Sequence, residues 1–162
     1  MEEKRITGAD VRRSAMDLLA RREHGVDELR RKLHRRYARR LLDAGLIDEA
    51  LERLVSEDLL SDTRFAESLT RQMIERGMGP RRIVQELQAR GVDAELDSVL
   101  ERAQIDVDWF DQAFTVYKKK YRDEPLHRDE PEATFKERGR RARFMQYRGF
   151  EAEHFMSLLD VD

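Results

Sequence analysis

The sequence predicts an all-α chain, a tandem array of three three-helix repeats (about nine helices), elongated and curved. Three observations carry this reading. Apolar residues recur at three- and four-residue spacing along the chain, and no stretch alternates as a half-buried strand does. Only 3 prolines and 8 glycines interrupt 162 residues, which leaves room for long helical runs. The charge also changes sign in a sawtooth. It is +7 over residues 11–41, −6 over 42–62, +3 over 63–92, −6 over 93–111, +5 over 112–148 and −4 over 149–162. Three rounds of basic then acidic segments point to internal repetition. Helices this short bury their apolar faces only by stacking on neighbours.

The elements follow in order. Residues 1–9 are read as a flexible N-terminus. The first repeat, 10–60, opens with a helix over 10–23 whose inward stripe is Val11, Ala15, Leu18 and Leu19, and Gly25 is expected to end it. Asp27 is the expected cap of the second helix. There Leu29, Leu33, Tyr37 and Leu41 form a stripe at i, i+4, and Arg30, Arg31, Lys32, Arg35, Arg36, Arg39 and Arg40 cover the facing side. Ala44-Gly45 breaks that helix. A third, acidic helix over 47–58 is expected to bury Ile47, Leu51, Leu54 and Val55.

The second repeat, 61–106, starts from Asp62 as a cap and buries Phe65, Ala66, Leu69, Met73 and Ile74. Gly77-Met78-Gly79 stops that helix, and Pro80 suits the first position of the next. Ile83, Val84 and Leu87 face inward there, Arg90-Gly91 ends it, and a short acidic helix carries Leu96, Val99 and Leu100. The third repeat, 107–162, opens at Asp108. Trp109, Phe110, Ala113, Phe114, Tyr117 and Tyr121 form an aromatic stripe, whose helical spacing marks it as core rather than a stacking platform. Residues 122–135, with Pro125 and Pro131, are read as a loop. A helix over 136–147 carries Phe144 and Met145, Arg148-Gly149-Phe150 breaks it, and a last acidic helix holds Phe155, Leu158 and Leu159.

Composition narrows the function. The chain has no cysteine, which excludes disulfides, thiolate metal sites and a cysteine nucleophile. No apolar run approaches the roughly 20 residues of a membrane span, and the first residues lack the apolar core of a signal peptide. A cytoplasmic, soluble chain is the expectation. His24, His34, His127 and His154 do not stand at metal-ligand spacing, and neither a GxSxG nor a GxxxxGK[ST] motif occurs. Gly77-Met78-Gly79 follows a helix and lacks the third glycine of a dinucleotide fingerprint. The carboxylates lie on acidic helices among arginines, as solvated faces and ion pairs do. No catalytic residue, cofactor or metal is therefore expected, and the chain is read as a non-enzyme.

The basic middle helices are the most suggestive feature. Arg30, Arg31, Arg35 and Arg39 fall close to one face. Arg81 and Arg82 stand at a helix start, where free backbone N–H groups could help hold a phosphate. Arg140, Arg141 and Arg143 repeat the theme. Together they favour an anionic partner, nucleic acid or a nucleoprotein surface. A sequence pI near 6.1 argues against coating DNA by charge alone. The run Lys118-Lys119-Lys120 reads as a solvated helix end.

Specific residues then become recognisable. Ser61-Asp62-Thr63-Arg64-Phe65-Ala66-Glu67, Arg76 through Ile83 with Gly77-Met78-Gly79-Pro80-Arg81-Arg82, and Arg143-Phe144-Met145-Gln146-Tyr147-Arg148-Gly149-Phe150 resemble the RecX family. Leu18 through Leu33 fits the same pattern. The resemblance runs from about Ala15 to Leu159. The stretch His34–Gly45 departs from it, being longer than the family's short link. The resemblance implies a regulatory protein that binds the RecA recombinase and the RecA–DNA filament, and mostly inhibits strand exchange, ATP hydrolysis and co-protease activity. A stand-alone helical DNA-binding protein is the alternative. Direct DNA contact is possible under either reading, and no membrane or small-molecule partner is implied. Like charge within each band makes a monomer the expectation.

Overall fold

Buried stripes and side-chain caps decide where each helix begins and ends. The structure is a computed structural model and describes residues 5–37, 40, 43, 45–126 and 129–160. Among these, nine α-helices occur and no strand: α1 (Gly8–Leu19), α2 (Val26–Tyr37), α3 (Gly45–Ser56), α4 (Asp62–Glu75), α5 (Pro80–Ala89), α6 (Leu96–Arg102), α7 (Trp109–Tyr121), α8 (Pro131–Arg148) and α9 (Ala152–Phe155). A 3₁₀ turn, Met156–Leu159, follows α9. No helix among the described residues is long and apolar enough to cross a membrane. The chain divides into two compact units, Met1–Ser68 with Leu87–Asp93, and Leu69–Glu86 with Ala94–Asp162.

In the first unit, α1, α2 and α3 pack on one another. Val11 and Ala15 of α1, Leu29 and Leu33 of α2, and Ile47, Leu51 and Leu54 of α3 are buried in one cluster. Truncating such a residue costs about 2–5 kcal/mol, so this cluster holds the three helices together. Two expected caps change role. Thr7 opens α1 with a reciprocal capping box to Asp10. Asp62 does not cap its own helix: Ser61 Oγ accepts from Arg64 N–H at 3.2 Å, and Asp62 Oδ1 accepts the Val26 N–H at the start of α2 at 2.8 Å. Asp27 lies inside α2 and pairs with Arg30. Gly25 does not end α1, which stops at Leu19; it immediately precedes α2. Gly45 opens α3 rather than breaking α2. Val55 is exposed, because it follows Leu54 by one residue and so turns off the buried face. Leu41 and Ala44 lie outside the described residues.

In the second unit, Ala113, Tyr117 and Tyr121 of α7 pack with Met145, Phe150, Phe155 and Leu159. Asp108, where the third repeat opens, caps α7, accepting from Phe110 N–H and Asp111 N–H. The aromatic stripe is only partly core. Phe110 is 55% and Phe114 44% exposed, because the buried line runs at i, i+4 through Ala113, Tyr117 and Tyr121, and these two rings lie beside it. The expected loop 122–135 is shorter than predicted. Pro131 occupies the first turn of α8 and sets its start five residues earlier than residue 136, since a proline there gives up no helical hydrogen bond. Gly149 ends α8 in the left-handed conformation at φ 96°.

Two buried carboxylates tie each unit to pH. Burial pushes the Glu28 carboxyl up, but hydrogen bonds and charge from Arg22 and Lys32 outweigh it and hold the group at about 2. Hydrogen bonds from Arg140 and Arg141 hold Glu137 at about 2, against the opposing effect of burial. Both lie below the ordinary carboxyl value of 4.5. The folded state therefore gains stability from them above about pH 4.5, and loses it as pH falls toward 2. His24, pushed down by burial, adds a loss that begins as pH drops below 6.5. Urea titrations across this range should show the decline, and Glu137→Gln should flatten its acid part.

Candidate anionic-partner interface

The described basic residues separate into those spent on the fold and those left at the surface. On α2, Arg30 pairs with Asp27 and Asp48. The Asp48 hydrogen bond is the chief reason its guanidinium is held above the usual range. Arg31 donates to the carbonyls of Asp27 and Ala89. Arg35 is exposed and has no ion pair among the described residues. Arg39 lies outside the described residues.

Arg141 is a correction to the sequence reading. It is 1% exposed. Its Nε donates to Glu137 at 2.7 Å, its Nη1 to the Tyr117 hydroxyl at 2.7 Å and to the Glu124 carbonyl at 3.2 Å, and its Nη2 to the Pro125 carbonyl at 3.3 Å. The guanidinium also lies 4.5 Å from the centre of the Tyr121 ring. A side chain so enclosed holds α7, α8 and the loop between them together, and its burial closes it to a partner.

The start of α5 packs on the end of α8. Arg81 N–H donates to the Gly149 carbonyl at 3.0 Å and Gly79 N–H to the Arg148 carbonyl at 2.8 Å, while Pro80 has no N–H. These contacts satisfy the end of α8 and the start of α5 together. The Gly79 and Arg81 N–H groups are taken by these contacts, which also fix where the Arg81 and Arg82 side chains emerge. Arg81 remains exposed, with Glu151 at 3.5 Å. Arg82 lies over the Tyr147 ring, 5.5 Å from its centre.

On α8 the spacing Lys136, Arg140, Arg143, Tyr147 runs four, three, four, so these residues form one ridge. All four are exposed. Arg140 is paired with Glu137, whereas Arg143 has no ion pair among the described residues. Tyr147 is 71% exposed. The sequence reading named the arginines but missed Tyr147. The signal was available, because Tyr147 stands two positions beyond buried Met145 and therefore on the opposite side of the helix.

Beside this ridge, a cleft of about 560 Å³ opens between the end of α4, α7 and α8. Arg76, Lys119, Lys120 and Arg148 rim it around Phe144. Lys120 and Arg148 lie 5.7 and 5.5 Å from the Phe144 ring centre, and Arg148 donates to the Arg76 carbonyl at 3.0 Å. Lys119 and Lys120 of the exposed lysine run line this cleft, while Lys118 lies outside it and pairs with Asp123 at 3.3 Å. No group of histidines and carboxylates that could hold a metal occurs among the described residues.

The chain is 44% identical over 154 residues to the regulatory protein RecX of Halorhodospira halophila, covering 94% of this chain and 88% of that one. The chain belongs to the RecX family. The regulatory protein RecX of Ectopseudomonas mendocina is 43% identical over 150 residues and 92% of each chain. Residues 61–96 match the family model described as RecX, second three-helix domain. Among solved structures, the crystal structure of RecX from Lactobacillus salivarius superposes with a TM-score of 0.68 at 20% identity, over 94% of both chains. Another crystal structure of regulatory protein RecX gives 0.69 at 19% identity, over 93% of this chain and 71% of that one. The all-helical RecX fold is therefore that of this chain, and its role is regulatory, as its RecX relatives are named.

Proposed function

We propose that this RecX-family chain binds the RecA recombinase and the RecA–DNA filament, and modulates, mostly inhibits, its recombinase, ATPase and co-protease activities in DNA repair. Family membership over more than nine tenths of the chain is the observation that carries the reading. The surface supports it. Arg81, Arg140 and Arg143, with Arg35 of the first unit, are exposed basic side chains, and Arg82 is half-buried against Tyr147. A nucleoprotein filament offers both phosphates and protein, and a ligand with alternating charge suits such a surface better than a uniformly basic one. The reading extends to a cytoplasmic monomer that works without a cofactor. Its helices group as repeats over residues 10–60, 61–106 and 107–162.

The test is the DNA-dependent ATP hydrolysis of RecA, with and without substoichiometric amounts of this protein at fixed salt. Strong suppression is expected, and no suppression overturns the proposal. Replacing Arg81 and Arg82 together by Glu should weaken filament binding on the order of tenfold with an unchanged helical circular-dichroism spectrum. Unchanged binding would remove both residues from the interface. A second reading, a protein that binds DNA by itself, is favoured by the Arg82–Tyr147 pair alone. It predicts tight binding to bare DNA with a steep salt dependence.

A further inference from the structure

Tyr147 is a large aromatic side chain with no role in the core. It is 71% exposed at the last turn of α8, where burial would have contributed to stability. Its ring is nevertheless not loosely placed. The Arg82 guanidinium sits 5.5 Å from the ring centre, and the backbone that carries Arg82 is pinned to the end of α8. A methyl group added at Gly149 would meet Arg82, its backbone nitrogen included at 2.5 Å, and two backbone hydrogen bonds join the same segments. One helical turn earlier stands Arg143, exposed and without an ion pair among the described residues, with Arg140 one turn before that. The result is an open ring, held beside a cation, at the end of a basic ridge.

We infer that Tyr147, with Arg82 and Arg143, is a stacking site for an unpaired nucleobase, whose flanking phosphates are met by the two arginines. Base-on-aromatic stacking tolerates any base, because every base has a π-face, and it is available only where bases are unstacked from a partner strand. A duplex offers the same phosphates but no free base face, so this site prefers single-stranded over double-stranded nucleic acid. The inference rests on reading the basic ridge of α8 as part of the partner surface, and it identifies what that surface touches.

The experiment is fluorescence anisotropy at low salt with three fluorescein-labelled probes: an oligothymidine strand, the same strand with abasic sites in place of its bases, and a duplex of equal length. Tyr147→Ala should weaken binding to oligothymidine roughly 5- to 100-fold, while Tyr147→Phe stays close to the parent protein. On the abasic strand and the duplex, Tyr147→Ala should bind as the parent does. Both variants should keep the parent's melting temperature, since the side chain is exposed. Equal binding of Tyr147→Ala to oligothymidine overturns the inference. An equal loss on the abasic strand does so too, because it assigns the residue a backbone contact. So does failure of the parent to bind oligothymidine at all, which would leave the ridge to a protein partner. The RecA ATPase assay run in parallel keeps the two proposals apart: suppression by the parent stands or falls independently of what Tyr147 touches.

Discussion

Replacing Arg141 by Ala is expected to destabilise the protein by about 3–5 kcal/mol, the range for breaking a buried ion pair from one side. The magnitude follows from what is left behind. Tyr117 loses the donor to its hydroxyl, the Glu124 and Pro125 carbonyls lose theirs, and a space the size of a guanidinium opens against Tyr121. Glu137, itself buried, keeps only Arg140 as a partner. Arg141→Lys should recover little, because an ammonium cannot supply the planar fork that reaches a carboxylate, a hydroxyl and two carbonyls together. Removing both charges, with Glu137→Leu and Arg141→Met, should cost less than Arg141→Ala, since no buried charge is then left unpaired. Arg140→Ala, at the exposed neighbour, should cost less than Arg141→Ala, because Glu137 keeps its buried partner Arg141. Urea unfolding followed by circular dichroism separates these cases. If Arg141→Ala unfolds at the same denaturant concentration as the parent, Arg141 is not structural and returns to the surface list.

Gly79→Ala is expected to cost roughly 1–3 kcal/mol, the range of overpacking a closed site. A methyl group at Gly79 would lie 2.5 Å from the Gly149 carbonyl and 2.6 Å from the Phe150 nitrogen. Both are backbone atoms and cannot rotate away, so the two segments must separate. That movement also breaks the hydrogen bonds from Gly79 N–H to Arg148 and from Arg81 N–H to Gly149. The variant should therefore weaken partner binding as well as stability, because Arg81, Arg82 and Tyr147 are placed by that contact. Gly8→Ala is the control: nothing stands within 4 Å of the added carbon, and its midpoint should match the parent's. Thermal melts of the two variants, with oligothymidine binding measured on each, check both parts.

Much of the fold was legible because helices report themselves locally. The i, i+4 stripes Leu29–Leu33–Tyr37 and Ala113–Tyr117–Tyr121 are buried as their spacing indicates. Asp108, Pro80, Gly77 and Gly149 punctuate the chain where caps, helix starts and left-handed stops require those residue types. The errors also have local causes. Two prolines, Pro125 and Pro131, suggest a loop over 122–135, yet a proline is as good a first-turn residue as a loop residue. The helical spacing of the aromatic stripe marks Phe110 and Phe114 as core, yet they lie one position off the buried line and are exposed.

The interface was less legible, and Arg141 shows why. Composition counts it with Arg140 and Arg143 as one basic cluster. Its phase along α8, four residues from both Glu137 and Met145, separates it from them, and that phase could have been read. What could not be read was its set of acceptors, Tyr117, Glu124 and Pro125, which are brought to it by chain folding across 16 to 24 residues. Asp62 is the same case: its residue type promised a helix cap, and the helix it serves begins 36 residues earlier. Sequence by itself determined the all-α class, most of the apolar stripes and the basic character of the middle helices, because these depend on neighbours within a turn or two. Only the tertiary structure decided which arginines are spent on the fold and which remain for a partner, because a charge is satisfied by whatever the folded chain places within hydrogen-bonding distance.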